Sequence, residues 1–169
     1  MLGFYDNFPQ NIHDAEKFSS SVAHKKLQRA LVETLYRLNS KKLPLEKVTA
    51  PSVPGCRVIF EIGVAEGNDF NYLDAQERER LSRALNKKPF PVMDFLCAIR
   101  YERMQEEKKK RMRIDYYMLR LIFSEGLTEV QVFHEKGIRY TSPDDLVKLV
   151  VKKVNAAFSK KVLRPSEAA

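Results

Sequence analysis

Lysine and arginine side chains concentrate in two segments of this sequence. Between residues 146 and 165 there are six cations and no acidic residue, and between 24 and 42 there are six cations and one acidic residue. The whole chain carries a formal net charge of +8. Ammonium and guanidinium groups at this density favour polyanionic partners, above all the phosphates of nucleic acids. The pattern predicts a phosphate-contacting surface built from two basic helices.

A third basic cluster occupies residues 108–111, between two segments whose residue types are typical of strands. These segments predict a hairpin whose basic tip projects beyond the sheet and contacts a phosphate backbone by charge alone. The alternative is that the lysines form a solvated turn that keeps strand edges from pairing with other chains. The sequence leaves both interpretations open.

Aromatic rings accompany these cations along the predicted hairpin. A turn centred on residues 107 and 108 would place Arg100 opposite Asp115 and Glu102 opposite Arg113, so that both pairs attract. This register predicts that one sheet face carries rings and guanidinium groups together. Such a face can stack unpaired bases, whereas helices that cover it would make it part of the core. The candidate nucleic-acid-binding residues are therefore Lys25, Lys26, Arg29, Tyr101, Arg103, Lys108, Lys109, Lys110, Arg111, Tyr116, Arg120, Phe133, Lys148, Lys152 and Lys153.

Candidates for catalysis are fewer and carry no family signature. His134 is predicted to lie beside Asp115 in a small polar group suited to proton transfer, although a structural histidine fits the same pattern. Glu61 and Asp94 on neighbouring strands are a candidate magnesium pair. The chain contains no glycine-rich phosphate loop, no Cys-x-x-Cys and no His-Glu-x-x-His. We therefore expect a non-catalytic protein without cofactor or metal, and keep a metal-dependent enzyme as an alternative.

Local patterns assign these residues to three helices and four strands. Leucines at helical spacing predict a helix from about 20 to 39, and capping residues at Asp74 and Ser142 predict the starts of two more. Alternating apolar residues predict strands over 57–65, 92–103, 112–123 and 128–135. The expected fold is α+β, with a four-stranded antiparallel sheet (one strand, then a three-strand meander) packed with about three helices. The chain is interpreted as a single domain, 1–169, in which 1–18 is an irregular N-terminal arm and 40–55 a Pro-rich connector.

The expected partners follow from the same charges and rings. DNA or RNA is the first expectation, and a protein partner or a second copy of the chain is the alternative, because the mixed aromatic and arginine face suits a protein interface. No apolar run approaches the ~18 residues of a membrane-spanning helix, and the first residues lack a secretory pattern. We therefore expect a cytoplasmic protein that does not contact a membrane.

Overall fold

The computed structural model describes residues 1–39, 41–49, 55–105 and 108–166, with the backbone alone for 104, 105 and 108–112. The helices are α1 (His24–Leu38), α2 (Ala75–Lys87) and α3 (Pro143–Asn155), and a short 3-10 helix spans Leu45–Lys47. The strands are β1 (Asp14–Ser20), β2 (Lys42–Pro44), β3 (Cys56–Glu66), β4 (Asp69–Tyr72), β5 (Val92–Gln105), β6 (Lys108–Ser124), β7 (Leu127–Lys136) and β8 (Leu163–Pro165). Within the described ranges, every helix is too short or too polar to cross a membrane.

The eight strands form one antiparallel sheet in the order β2-β3-β5-β6-β7-β1-β8, with β4 also paired to β3. The predicted four-stranded sheet is therefore wrong, while the α+β class and the three helices agree with the structure. The four extra strands are short, and two of them overlap the segments interpreted as arm and connector. Strand β1 includes residues 14–18 of the predicted arm, and β2 begins inside the predicted connector. These short strands extend the predicted meander on both sides.

The register between β5 and β6 differs by one residue from the prediction. Arg100 lies opposite Ile114, not Asp115, and a bulge between Arg100 and Glu102 shifts the pairing again toward the hairpin tip. A one-residue shift moves every side chain of β5 to the other face. The predicted register favoured two cross-strand ion pairs worth ~0.2 to 1 kcal/mol each. Burial of one large apolar side chain, at ~1.5 to 3 kcal/mol, outweighs them.

The three helices cover one face of the sheet, with α1 in contact with α2 on one side and α3 on the other. Buried residues of that face come from alternate positions of β3 and β5, and they meet the buried leucines of α1. Both predicted helix starts are confirmed, since the Asp74 carboxylate accepts from Glu77 N and the Ser142 hydroxyl accepts from Asp145 N. The register of β6 against β7 is also confirmed, with Leu121 opposite Val130.

Candidate polyanion-binding groove

Tyr101 cannot stack on a base in this fold. Its side chain lies on the helix-covered face of β5 with 0% exposure, and its hydroxyl donates to Asp115 at 2.6 Å. The prediction that Tyr101 shares a face with Tyr116 is wrong, because the β5 register places odd-numbered residues inside. Tyr116 and Phe133 lie on the opposite face, where both are half-buried.

Arg120 is held within the fold by the N-terminal arm. Its guanidinium donates two hydrogen bonds of 2.8 Å to the fully buried carboxylate of Asp94. The same group lies 4.9 Å from the ring centre of Phe4 and 4.4 Å from that of Phe8. Its charge and its planar faces are therefore engaged by the protein itself. The prediction that Arg120 is available for a base is wrong, because the aromatic residues of the arm cover it.

The remaining rings of that face also have neighbours. The His13 ring stacks on Phe133 with centroids 4.8 Å apart, and Lys136 Nζ lies 4.8 Å from the Tyr116 ring centre.

Arg103 is exposed near the end of β5. The side chains of Lys108, Lys109, Lys110 and Arg111 lie outside the described part of the structure, so the basic hairpin tip stays a prediction. The exposed large hydrophobic residues among the described positions are Met1, Tyr72 and Ile138, which are not on the mixed face predicted as an interface.

The predicted cations of α1 point in two directions. Lys25 donates to the Asn86 carbonyl and Arg29 to the Asn86 side chain, so both face α2. Lys26 faces the other way, with Nζ 5.9 Å from the ring centre of Phe158, just beyond α3. The structure therefore brings Lys26 toward α3 and the segment that follows it. Lys25 and Arg29 lie on the side of α1 that faces α2.

An open groove of about 860 Å³ lies between β1, α3 and the chain that leads into β8. We name it the lysine groove. It is lined by Glu16, Lys17, Phe18, Lys148, Val151, Lys152, Asn155, Ala156, Phe158, Ser159, Lys160, Lys161, Leu163, Pro165 and Ser166. Five lysine residues and one glutamate line it. The alternation of β1 turns the Lys17 side chain to the sheet face opposite Glu16 and Phe18, and Lys148 is paired with Asp144. The exposed ammonium groups at the groove are therefore those of Lys152, Lys160 and Lys161. Lys153 lies outside it, in a smaller groove between α1 and α3 that also contains Arg37 and Lys41.

Asn155 fixes the lysine-bearing segment against α3. Its side-chain oxygen accepts hydrogen bonds from Val162 N and Leu163 N at 3.0 and 2.9 Å, and its Nδ2 donates to the Leu163 carbonyl at 3.0 Å. Ser166 N donates to the Lys17 carbonyl at 2.9 Å, which ties the end of this segment to β1. The sequence analysis missed Asn155. An asparagine at the end of a helix, in an otherwise basic segment, was the available signal.

Three carboxyl groups lie close together at one end of the lysine groove. Oxygens of Glu16, Asp14 and Asp144 lie within 4.8 Å of one another. Burial, together with a hydrogen bond to Asp144 and the negative charges of Asp14 and Asp144, raises the pKa of Glu16 to about 7. Lys148 Nζ lies 2.8 Å from Asp144 Oδ2 and offsets part of this charge. The one carboxyl group that lines the groove is therefore about half protonated near neutral pH.

The candidate catalytic residues have structural roles. Asp115 is fully buried and accepts hydrogen bonds from Tyr101, His134 and two backbone amides of the following loop. Glu61 is paired with Arg100 and Asp94 with Arg120. Glu61 also lies opposite Ala98, four residues along β5 from Asp94, which is about 13 Å at strand spacing. The predicted magnesium pair is therefore too far apart to share an ion.

Comparison of the chain with protein-family profiles, with curated proteins and with solved structures found no match.

Proposed function

We propose that this protein is a non-catalytic nucleic-acid-binding protein that holds the phosphate backbone of DNA or RNA in the lysine groove. One observation carries the proposal: Lys152, Lys160 and Lys161 are exposed at one groove, and the single carboxyl group among its lining residues, Glu16, is partly neutral near pH 7. A groove with this charge attracts a chain of phosphates, because each contact releases a condensed counterion from the nucleic acid.

The neighbouring charges support an extended contact. Lys26 reaches Phe158 at one border of the lysine groove, and Arg164 lies with Lys160 and Lys161 at another. The described residues place no carboxylate within ion-pair distance of Lys152, Lys160 or Lys161. These three exposed ammonium groups are therefore available to phosphates.

Binding should depend steeply on salt. Four phosphate contacts to a single strand give a slope of about −3 for log affinity against log salt concentration. Affinity should then fall about 50-fold between 50 and 200 mM salt. Base stacking on Tyr101 and Arg120 is not part of this proposal, whereas the hairpin tip at 108–111 is proposed as a second phosphate contact.

The test is fluorescence anisotropy of a labelled 20-nucleotide strand over a salt series. The variant K152Q/K160Q/K161Q should reduce the salt slope by about 2 and the affinity at 0.1 M salt by about 10- to 100-fold. The matched control R83Q/K87Q/K88Q removes three exposed cations in or beside α2 and should change the affinity far less. If the two triple variants lose affinity equally, the lysine groove is not the binding site. If the affinity does not depend on salt concentration, nucleic-acid binding by charge is refuted.

A further inference from the structure

We propose that the lysine groove takes single-stranded nucleic acid, with unpaired bases on its apolar floor and phosphates on its lysine rim. This inference rests on the proposed function and narrows its ligand class. The groove combines an apolar floor with a rim of lysines, and a duplex cannot contact both surfaces with its base faces and its phosphates.

The floor of the lysine groove is apolar. Phe18 and Leu163 are buried beneath it, while Val151 and Phe158 are half-buried and keep part of their surface toward the groove. Water on such a surface is released when a flat apolar group covers it. The volume of about 860 Å³ lies within the range of grooves that enclose organic ligands, so there is room for bases as well as backbone.

The rim adds a charge that selects among apolar ligands. Lys152, Lys160 and Lys161 surround the floor, and Lys26 lies near the ring of Phe158. A neutral apolar ligand would make no use of these ammonium groups. An acidic peptide would pair with them but would not supply a series of flat rings to the floor. A nucleotide strand carries one phosphate and one apolar ring system per unit, which matches both surfaces.

A duplex matches only the rim. Its bases are paired and stacked on one another, so it presents phosphates and base edges rather than base faces. Single strands expose those faces, and aromatic side chains in basic grooves stack on them without strong sequence preference. Loss of one base stacked on a ring should lower affinity by about five- to 150-fold.

The experiment compares four labelled ligands with the full chain at one salt concentration. They are a 12-nucleotide strand, the same strand with abasic sites throughout, a duplex of equal phosphate count and a polyglutamate peptide of equal charge. The intact strand should bind at least about fivefold tighter than the abasic strand, the duplex and the peptide. The salt slopes of the intact and abasic strands should agree, because both carry the same phosphates.

Two variants assign the difference to the groove. Phe158→Leu keeps an apolar side chain and removes the ring. It should therefore reduce the difference in affinity between the intact and the abasic strand. K160Q/K161Q should weaken both strands by the same factor. Circular dichroism establishes that each variant is folded, and the comparison of ligands on the unmodified protein decides the question even if Phe158→Leu does not fold.

The outcomes separate this inference from the proposed function. If the intact strand, the abasic strand and the duplex bind equally and K160Q/K161Q weakens all three, base recognition is refuted and phosphate binding stands. If polyglutamate binds as tightly as the intact strand, the inference is refuted in favour of an acidic protein partner. If no nucleic acid binds, both proposals fail.

Discussion

Replacement of Asp115 by asparagine should destabilise the protein by about 2 to 6 kcal/mol. The Asp115 carboxylate accepts from Arg139 N at 2.6 Å, Tyr140 N at 2.8 Å and Tyr101 Oη at 2.6 Å. An amide in its place has one acceptor oxygen and turns an N–H₂ donor toward donors. Tyr101 retains Thr141 as a partner, but one of the two backbone amides loses its acceptor and an N–H of the new side chain lies unpaired against it, which leaves two unsatisfied donors. Each buried unsatisfied donor costs about 1 to 3 kcal/mol.

The loop that Asp115 holds passes close to the Asp115 carboxylate at Gly137. Gly137 has φ +118°, and a Cβ there would overlap the Asp115 carboxylate and the Ile114 carbonyl. The chain therefore passes directly over the carboxylate before it enters α3. Gly137→Ala should be destabilising for both reasons, because the backbone angle and the space each exclude a side chain.

Urea unfolding followed by circular dichroism measures the Asp115 effect, with the exposed turn residue Glu125→Gln as the control. Burial raises the pKa of Asp115, but hydrogen bonds from Tyr101, His134 and the backbone outweigh burial and hold the pKa below its ordinary value. The stability that Asp115 contributes is thus present above the unfolded pKa of ~3.9 and is lost as pH falls through the folded value. A loss below about 1 kcal/mol for Asp115→Asn at pH 7 would refute this reasoning.

Three further predictions follow from named contacts. Arg120→Met should cost about 3 to 5 kcal/mol in thermal or urea unfolding because it leaves the buried Asp94 carboxylate unpaired, and a loss comparable to that of an exposed arginine would contradict this. Asn155→Ala should release the segment before β8, seen as faster amide hydrogen exchange at Val162 and Leu163, and should weaken strand binding; unchanged exchange would contradict it. Affinity for a labelled strand should rise roughly threefold as pH falls from 8 to 6, because protonation of Glu16 removes a negative charge from the groove. Repulsion between unit charges at a separation of ~6 Å in water costs about 0.7 kcal/mol, which is roughly threefold in affinity. Glu16→Gln should abolish that part of the pH dependence, and an unchanged pH profile would show that Glu16 is not responsible.

Local signals made the helices predictable. Asp74 followed by Glu77, and Ser142 followed by Pro143, mark helix starts through capping chemistry that depends on a few neighbouring residues. The turn at Glu125 and Gly126 is equally local, with Gly126 at φ +68°. These elements needed no knowledge of the rest of the chain.

Strand β1 could not be recognised in the same way. Its inward positions include Asp14 and Glu16, and Phe18 alone gives an apolar side chain on that row. The strand exists because it pairs with β7 from Asp14 to Ser19, which is a contact between distant parts of the chain. Sequence periodicity therefore showed no strand where tertiary pairing creates one.

The same distinction applies to the candidate site. Basic residues of α3 were predicted as phosphate contacts, and the structure places Lys148 and Lys152 on the lysine groove. Phe18 and the backbone of Lys17 reach that groove only because β1 and β8 pair beside α3. The stacking face failed for a related reason: the register that buries Tyr101 is decided by helix packing across the whole sheet, not by charges near the hairpin turn.

Lysine acetylation footprinting tests the location of the binding surface most directly. The full chain is treated briefly with an acetylating reagent, with and without a saturating single strand, and modified lysines are quantified by mass spectrometry. We predict strong protection of Lys152, Lys160 and Lys161 and little change at Lys47, Lys87 and Lys88. Equal protection of both sets, or protection confined to residues 108–111, would contradict the assignment of phosphate binding to the lysine groove.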